Sequence, residues 1–461
     1  MRIKKIMAAM IIAAISVGFA SCSDNYSVSY SKISLNNDTE LKTILTAKGY
    51  TFNESGNLEL NDLANNTKSL DLSGTKISED NLKDLSILPN LTDIDLSENE
   101  YTDSFDFAKL PSQITGVDLT GNELYEFPGL VNIVTAENGD ETVTILHDLK
   151  KLYLPESAKY NCDEIPTFYA KATGVDMKMA DANGTLAAYT TLREVPDEIL
   201  RNYLKELYPA MFTGENINLA NRMVKASEVS ANLVLNITIE NKNIEGAEYI
   251  IMNPSYKGAE IRLMATESSS LPYLKIKSNI YKMSFEQIDT HVLDLTEASN
   301  LCYVAMENNN TIESLDLTSS TTFGQRGVNG GDFDGSDAAA EISIIDCQKL
   351  KGIIYPDKAQ YLYTLILYNL PLFKAVDLSQ FKAMVTLELG NLTSLEKLVY
   401  FTPEGFYGFG SEQMMFGIGT DVYAYSNATK NFLDSYHNNL IQYNFPKSTG
   451  VTTYKWKHDY K

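Results

Sequence analysis

Histidine and tryptophan are scarce in this chain, four and one in 461 residues. His147, His291, His437 and His458 are scattered, and no H-E-x-x-H, no G-x-S-x-G and no phosphate-binding glycine loop followed by Lys occurs. The sequence therefore lacks the local signatures of zinc peptidases, serine hydrolases and nucleotide-phosphate binding. Cysteine is sparse too. Cys22, Cys162, Cys302 and Cys347 never fall within four positions of one another, and none has a neighbouring His. That spacing excludes a disulfide scaffold and a short-spaced zinc site. Positive charge is the smaller share: 38 Lys and Arg stand against 60 Asp and Glu, for a net charge of −22. So acidic a chain is a poor match to nucleic acid. Long apolar runs are absent except at the N-terminus, where residues 6–20 form one that is short for a bilayer span.

That first run follows a basic stretch, Arg2, Lys4 and Lys5, and ends in Ala20-Ser21-Cys22. The arrangement resembles a bacterial lipoprotein signal. The resemblance implies cleavage before Cys22, which then carries the lipid; ordinary secretion with cleavage nearby is the alternative. Ser23-Asp24-Asn25 is similar to the acidic export signal of surface-exposed lipoproteins in Bacteroidota. An outer-membrane location, facing outward, is the expectation, with membrane contact only through the lipid. Loss of residues 1–21 moves the net charge from −22 to −25 and leaves 440 residues.

What the chain does have is repetition. "SLDLSGT", "DIDLSEN" and "GVDLTGN" place Asp71, Asp95 and Asp118 between apolar residues, 24 and then 23 positions apart. "VLDLTEA" and "SLDLTSS" place Asp294 and Asp316 in the same way, 22 apart. "ISIIDCQKLKGIIYP", "YTLILYNLPLFKAVDL" and "VTLELGNLTSLEKLVY" align at a period of 22, with Ile345, Leu367 and Leu389 in one column. Cys347, Asn369 and Asn391 form a second column, and Ile354, Val376 and Leu398 a third. The pattern resembles the leucine-rich repeat, L-x-x-L-x-L-x-x-N/C-x-L, in BspA-like and internalin-like units. The expected fold is a repeat solenoid, mostly β with some α, in which each L-x-L gives a short strand. Two side chains point inward and the one between them outward. One unit cannot bury its own leucines, so neighbours must stack.

Two stretches read as helical caps. "NDTELKTILTAKGY" puts Leu41, Ile44 and Leu45 on one face, and "VPDEILRNYLKELYPAMF" does so with Ile199, Leu200, Tyr203, Leu204 and Leu207. Each precedes a turn and a strand, as in the entry modules of leucine-rich-repeat lipoproteins. The expected organisation is a signal peptide over 1–21, a tether over 22–35, and a cap with the first array over 36–180. A linker over 181–195 and a second cap, second array and C-terminal cap over 196–461 complete it.

The expected role is non-catalytic binding of a protein or peptide along the concave sheet. The residues singled out for it are Asp71, Asp95, Asp118, Tyr153, Asp294, Asp316 and Glu388, with Asp377 on a second row. Like charges one strand apart repel unless a partner, a cation or backbone donors compensate. Glycan capture for a surface uptake system is the first alternative, because aromatics on a sheet suit sugar rings. A hydrolase using paired carboxylates is the second. No cofactor is implied, with one possible exception: "NGGDFDGSD" sets Asp332, Asp334 and Asp337 around Gly335, a partial match to a Ca²⁺ loop or simply a solvated insertion.

Overall fold

The computed structural model describes residues 28–35, 39–135, 141–221, 234–325, 340–381, 383–395, 397–399, 421–424 and 455–456. Cys22 and the signal segment, Asp332, Asp334 and Asp337, and the expected C-terminal helix lie outside them. Many short strands and few helices make up the described residues, an arrangement compatible with a repeat fold.

Six strands form the first sheet, in the order β6-β5-β4-β3-β2-β1. They are β1 Ser69–Asp71, β2 Asp93–Asp95, β3 Gly116–Asp118, β4 Lys151–Leu154, β5 Asp176–Ala180 and β6 Leu186–Ala188. All pairings are parallel except the last. Nine strands form the second sheet, and their spatial order follows the chain. They are β7 Val234–Ile237, β8 Glu260–Lys275, β9 Lys282–Asp294, β10 Tyr303–Glu307, β11 Ala340–Ile345, β12 Tyr361–Tyr368, β13 Ala383–Gly390, β14 Asp421–Ala424 and β15 Lys455–Trp456. Every pairing in it is parallel. Parallel neighbours need a crossover between them, which is why each strand returns only after about twenty residues or more.

Alternation drives the stacking. In β1 and its exit, Leu70 and Leu72 are buried and Asp71 between them is exposed. Leu70, Ile94 and Val117 stand opposite one another, as do Asp71, Asp95 and Asp118. The inward side chains fill two apolar cores, one running from Leu35 to Tyr189 and the other from Val195 to Leu392. Tyr125, Tyr160 and Cys162 of the first array belong to the second core, so the two arrays share an interface. Fully burying one such Leu or Ile contributes roughly 1.5–3 kcal/mol.

A buried polar ladder accompanies the leucines where each unit turns inward. The Asn99 amide nitrogen donates to Leu72 O at 3.0 Å, and its oxygen accepts from Lys76 N–H at 2.7 Å. Asn122 repeats the pattern one unit on, donating to Leu96 O at 3.0 Å and accepting from Asn99 N–H at 3.0 Å. Thr75 opens this ladder and Ser157 closes it, its Oγ accepting from Leu124 N–H at 2.8 Å.

The second array departs from the expected columns. β11 and β12 pair Ile344 with Leu367 and Ile345 with Tyr368, an offset of 23 rather than 22. The residue just before the inward position adopts a left-handed φ in four successive units: Asn308, Asp346, Asn369 and Asn391 lie between 49° and 56°. Asn tolerates that conformation, which explains its place there. Asn369 and Asn391 therefore align with Asp346, not with Cys347. Their amides link in sequence: Asn391 Nδ2 donates to Asn369 Oδ1 at 2.7 Å, and Asn369 Nδ2 donates to Asp346. Cys347, fully buried, falls in line with Asn309, Leu370 and Leu392. Ile353, not Ile354, pairs with Leu315, and Ile354 is half exposed.

The caps are narrower than expected. In α1, Glu40–Ala47, Leu41 and Leu45 are buried. In α3, Glu198–Leu207, only Leu200 and Leu204 are fully buried, while Ile199 and Leu207 are exposed. Asp197 caps α3 through Leu200 N–H at 2.9 Å and reaches Lys242 N–H at 2.9 Å with its other oxygen. Two segments expected as connectors carry strands. Tyr30–Ser34, in the expected tether, pairs with Asn57–Glu59. Within 181–195, β6 joins the first sheet and Leu192–Arg193 pairs with Asn216–Asn218.

Replacing Asn99 with Ala removes the buried amide and strands several backbone groups. We expect a loss of about 2–4 kcal/mol, read as a lower urea midpoint; a change below about 0.5 kcal/mol would show that the ladder is dispensable.

Candidate functional site

The outward face of the first sheet carries two adjacent rows. One runs Asp71, Asp95, Asp118, Tyr153, Lys178. The other runs Ser69, Asp93, Gly116, Lys151, Asp176. The structure thus brings four of the expected site residues, Asp71, Asp95, Asp118 and Tyr153, into one line. It adds Lys178 at the end of that line, and Asp93, Lys151 and Asp176 in the adjacent row, two residues back along their strands.

The clustered acids are compensated by the chain itself. Asp71 Oδ1 accepts from Ser73 N–H at 2.9 Å and from Ser73 Oγ at 2.7 Å. Asp95 Oδ1 accepts from Ser97 N–H at 2.9 Å. Asp118 Oδ1 accepts from Thr120 N–H at 3.0 Å and from its hydroxyl at 2.7 Å. The Ser73 hydroxyl and N–H hold the Asp71 carboxyl below its usual range, against slight burial. Donors of this kind stabilise the ionised form.

At the far end of the rows the charge reverses. Lys151 Nζ meets Asp93 Oδ1 at 3.2 Å and lies 4.8 Å from the Tyr153 ring centroid. Lys178 Nζ lies 4.8 Å from the same centroid. The Tyr153 hydroxyl donates to Asp176 Oδ2 at 2.7 Å and accepts from Lys178 Nζ at 3.1 Å. Gly116 makes the Asp93–Lys151 pair possible, because a Cβ there would lie 2.1 Å from Asp93 Oδ2.

The remaining acids do not extend this row. Asp294, at the end of β9, pairs with Lys275. Asp316 pairs with Ile354 in a separate two-stranded ladder, and Asp377 with Val399 in another. Glu388 lies in β13 opposite Ile366, in a line that continues through Ser343, Ala305 and Ser284. Asp294, Asp316 and Glu388 therefore share no row, and no acidic row crosses the second sheet along that line. The cause is that the units holding Asp294, Asp316 and Asp377 have two short apolar runs, and the one that carries the Asp is the later one. These acids still hold the same turn. Asp294, Asp316 and Asp377 accept from the backbone N–H of Thr296, Thr318 and Ser379 at 2.8, 2.9 and 3.0 Å.

Asp294 instead belongs to a cluster at the interface of the two arrays. The Tyr273 hydroxyl lies 2.7 Å from Glu126 Oε1 and 3.0 Å from Asp294 Oδ2. Lys275 Nζ lies 3.1 Å from Glu126, 3.8 Å from Asp294 and 2.9 Å from Glu297. Burial works against the Lys275 charge, but Glu126 and Glu297 outweigh it and raise its pKa. No sequence signal marks this cluster, whose partners stand 147 and 149 residues apart.

No protein-family model matches the sequence, and no curated protein matches it. Among solved structures, a leucine-rich-repeat protein of Leptospira interrogans is similar at 13% identity, over 74% of this chain and 86% of that one, with a TM-score of 0.15. A likeness that slight is a hint of leucine-rich repeats and carries no argument of its own.

The lowered Asp71 pKa supplies a test. A carboxyl depressed in the folded state contributes stability above its unfolded value near 3.8, and loses it as pH falls through the lower folded value. Carbon-detected NMR titration should place the Asp71 midpoint below 3.8 and move it upward in Ser73→Ala. An unmoved midpoint would refute the assignment of the turn as its cause.

Proposed function

We propose that this protein is a leucine-rich-repeat solenoid of two arrays and that it binds a protein or peptide, without catalysis, across the outward face of the first sheet. The observation that supports the reading most is the register of Asp71, Asp95 and Asp118, followed by Tyr153 and Lys178. Four acids at one end suit Lys and Arg side chains, while the two lysines at the other, each beside one carboxylate of the chain, leave that end with a net charge of one positive. Each of the three row acids spends one oxygen on its own turn and keeps the second for a partner. The protein reading is favoured over glycan capture because two ammonium groups already lie over the Tyr153 ring, where a sugar would stack. Under the same proposal the segment ending at Cys22 is a lipoprotein signal, and the arrays sit outside the outer membrane on a lipid tether.

Asn preserves the turn at each Asp, since its oxygen accepts the same N–H. A variant carrying Asp71→Asn, Asp95→Asn and Asp118→Asn should stay folded, with only the small loss of melting temperature that follows from losing the charge in the Asp71 turn. Against a panel of Lys/Arg-rich peptides it should bind at least about tenfold more weakly than the native protein, and native binding should fall as NaCl rises from about 0.05 to 0.5 M. Affinity that ignores both salt and the three substitutions would remove this face as the site.

A further inference from the structure

The interface between the arrays sets a polar cluster beside apolar packing. Two ring stacks cross it: Tyr125 on Tyr273, with centroids 4.4 Å apart at 11°, and Tyr160 on Tyr249, 6.0 Å apart at 13°. Against Tyr160 lies a cavity of about 80 Å³, lined in part by Glu126, Asn161, Glu164, Lys275, Lys277 and Glu297. That volume has room for about two waters.

Charge does not balance there. Glu126, Asp163, Glu164, Asp294 and Glu297 face Lys275 and Lys277, so full ionisation leaves an excess of three negative charges. Tyr273 has one hydroxyl proton for two carboxylates, Glu126 and Asp294. Glu164 opens α2, Glu164–Lys171, in the first array, and its Oε2 accepts from Asn161 Nδ2 at 2.6 Å. On the other side of the seam, Glu248 lies in α4, Ala247–Ile251, fully buried. Its Oε2 accepts from Gly246 N–H at 2.7 Å, while Oε1 has no hydrogen-bond partner. A bare carboxylate oxygen in that setting costs several kcal/mol, whereas a protonated one is tolerated.

We propose that the seam is a proton-operated clasp: the arrays hold together while Glu164 and Glu248 are neutral and loosen when both ionise.

The groups facing each acid set the direction. Around Glu164 stand Glu126, Asp163 and Glu297 as acids, Tyr160 and Cys162 as neutral groups, and Lys275 and Lys277 as bases. Burial first, and then the Glu126 charge, push the Glu164 carboxyl up to about 7, against the Asn161 hydrogen bond. Around Glu248 stand Glu245, Lys159, Tyr160, Tyr249 and Cys162, with the buried Arg193 cation against the last two. Burial pushes Glu248 up to about 8; the Gly246 N–H and Lys159 oppose it and Glu245 adds to it. Both folded values exceed the ordinary 4.5. Their stabilising contribution is therefore complete below about 4.5 and is lost as pH rises through 7 and then 8.

Hydrogen exchange on the full chain tests this, with rates corrected for their intrinsic pH dependence. Protection of seam amides at residues 159–165 and 245–252 should fall at least about tenfold between pH 6 and 9, because each raised carboxyl weakens the closed seam about tenfold per pH unit below its folded value and no further above it. Amides of β2 and β3 should keep theirs. Glu164→Gln should shrink the fall, and Glu164→Gln with Glu248→Gln should abolish it. The single variant decides alone if the pair does not fold. Seam protection that is flat in the native protein, falls equally in Glu164→Gln, or falls together with β2 and β3 would overturn the clasp.

Discussion

A three-residue parallel strand cannot bury its own leucines, and everything else in this protein follows from that constraint. Leu70 is covered only because Ile94 lies beside it, and Ile94 only because Val117 follows. Cooperation of this kind makes register, rather than any single contact, the quantity the fold must protect. The buried ladder of Thr75, Asn99, Asn122 and Ser157 protects it. Each amide spans two units and satisfies backbone groups that a shifted neighbour would leave bare. In the second array the duty passes to left-handed Asn308, Asp346, Asn369 and Asn391, which sit nearer the surface and link their side chains from Asp346 onward.

The same economy governs the acids. An Asp leaving a strand is two residues from a Ser or Thr at positions 71, 95, 118, 294, 316 and 377. In all six the carboxylate closes the turn. Repulsion along the first sheet is thereby offset within each unit, with no cation required. The acidic row is first a folding device, and any binding role is built upon it.

Much of the first array was legible in sequence. The L-D-L phase located the strands, the outward Asp row and the inward Asn column, and the Asp-x-Ser/Thr spacing that explains the acids was in plain view. The second array misled because L-D-L occurs there on a different strand of the unit. What separates the two cases is the residue three beyond the second Leu: Asn99 and Asn122 in the first array, Ala298 and Ser320 in the second. The one-residue slip between β11 and β12 hid for a related reason, since Asn occupies either the left-handed position or the inward one. The seam was illegible altogether. Its Glu126, Tyr273 and Lys275 are ordinary residues until two arrays are folded against each other.

Gly116 leaves a notch in an otherwise filled row, and the Asp93 carboxylate leans across it to Lys151. That notch marks the line where the face turns from acid to base. A segment laid across the strands would meet four carboxylates on one side of the line and, on the other, two ammonium groups beside the single Asp176 carboxylate. The face therefore has a polarity, and a chain of uneven charge that fits it one way round is repelled when turned end for end.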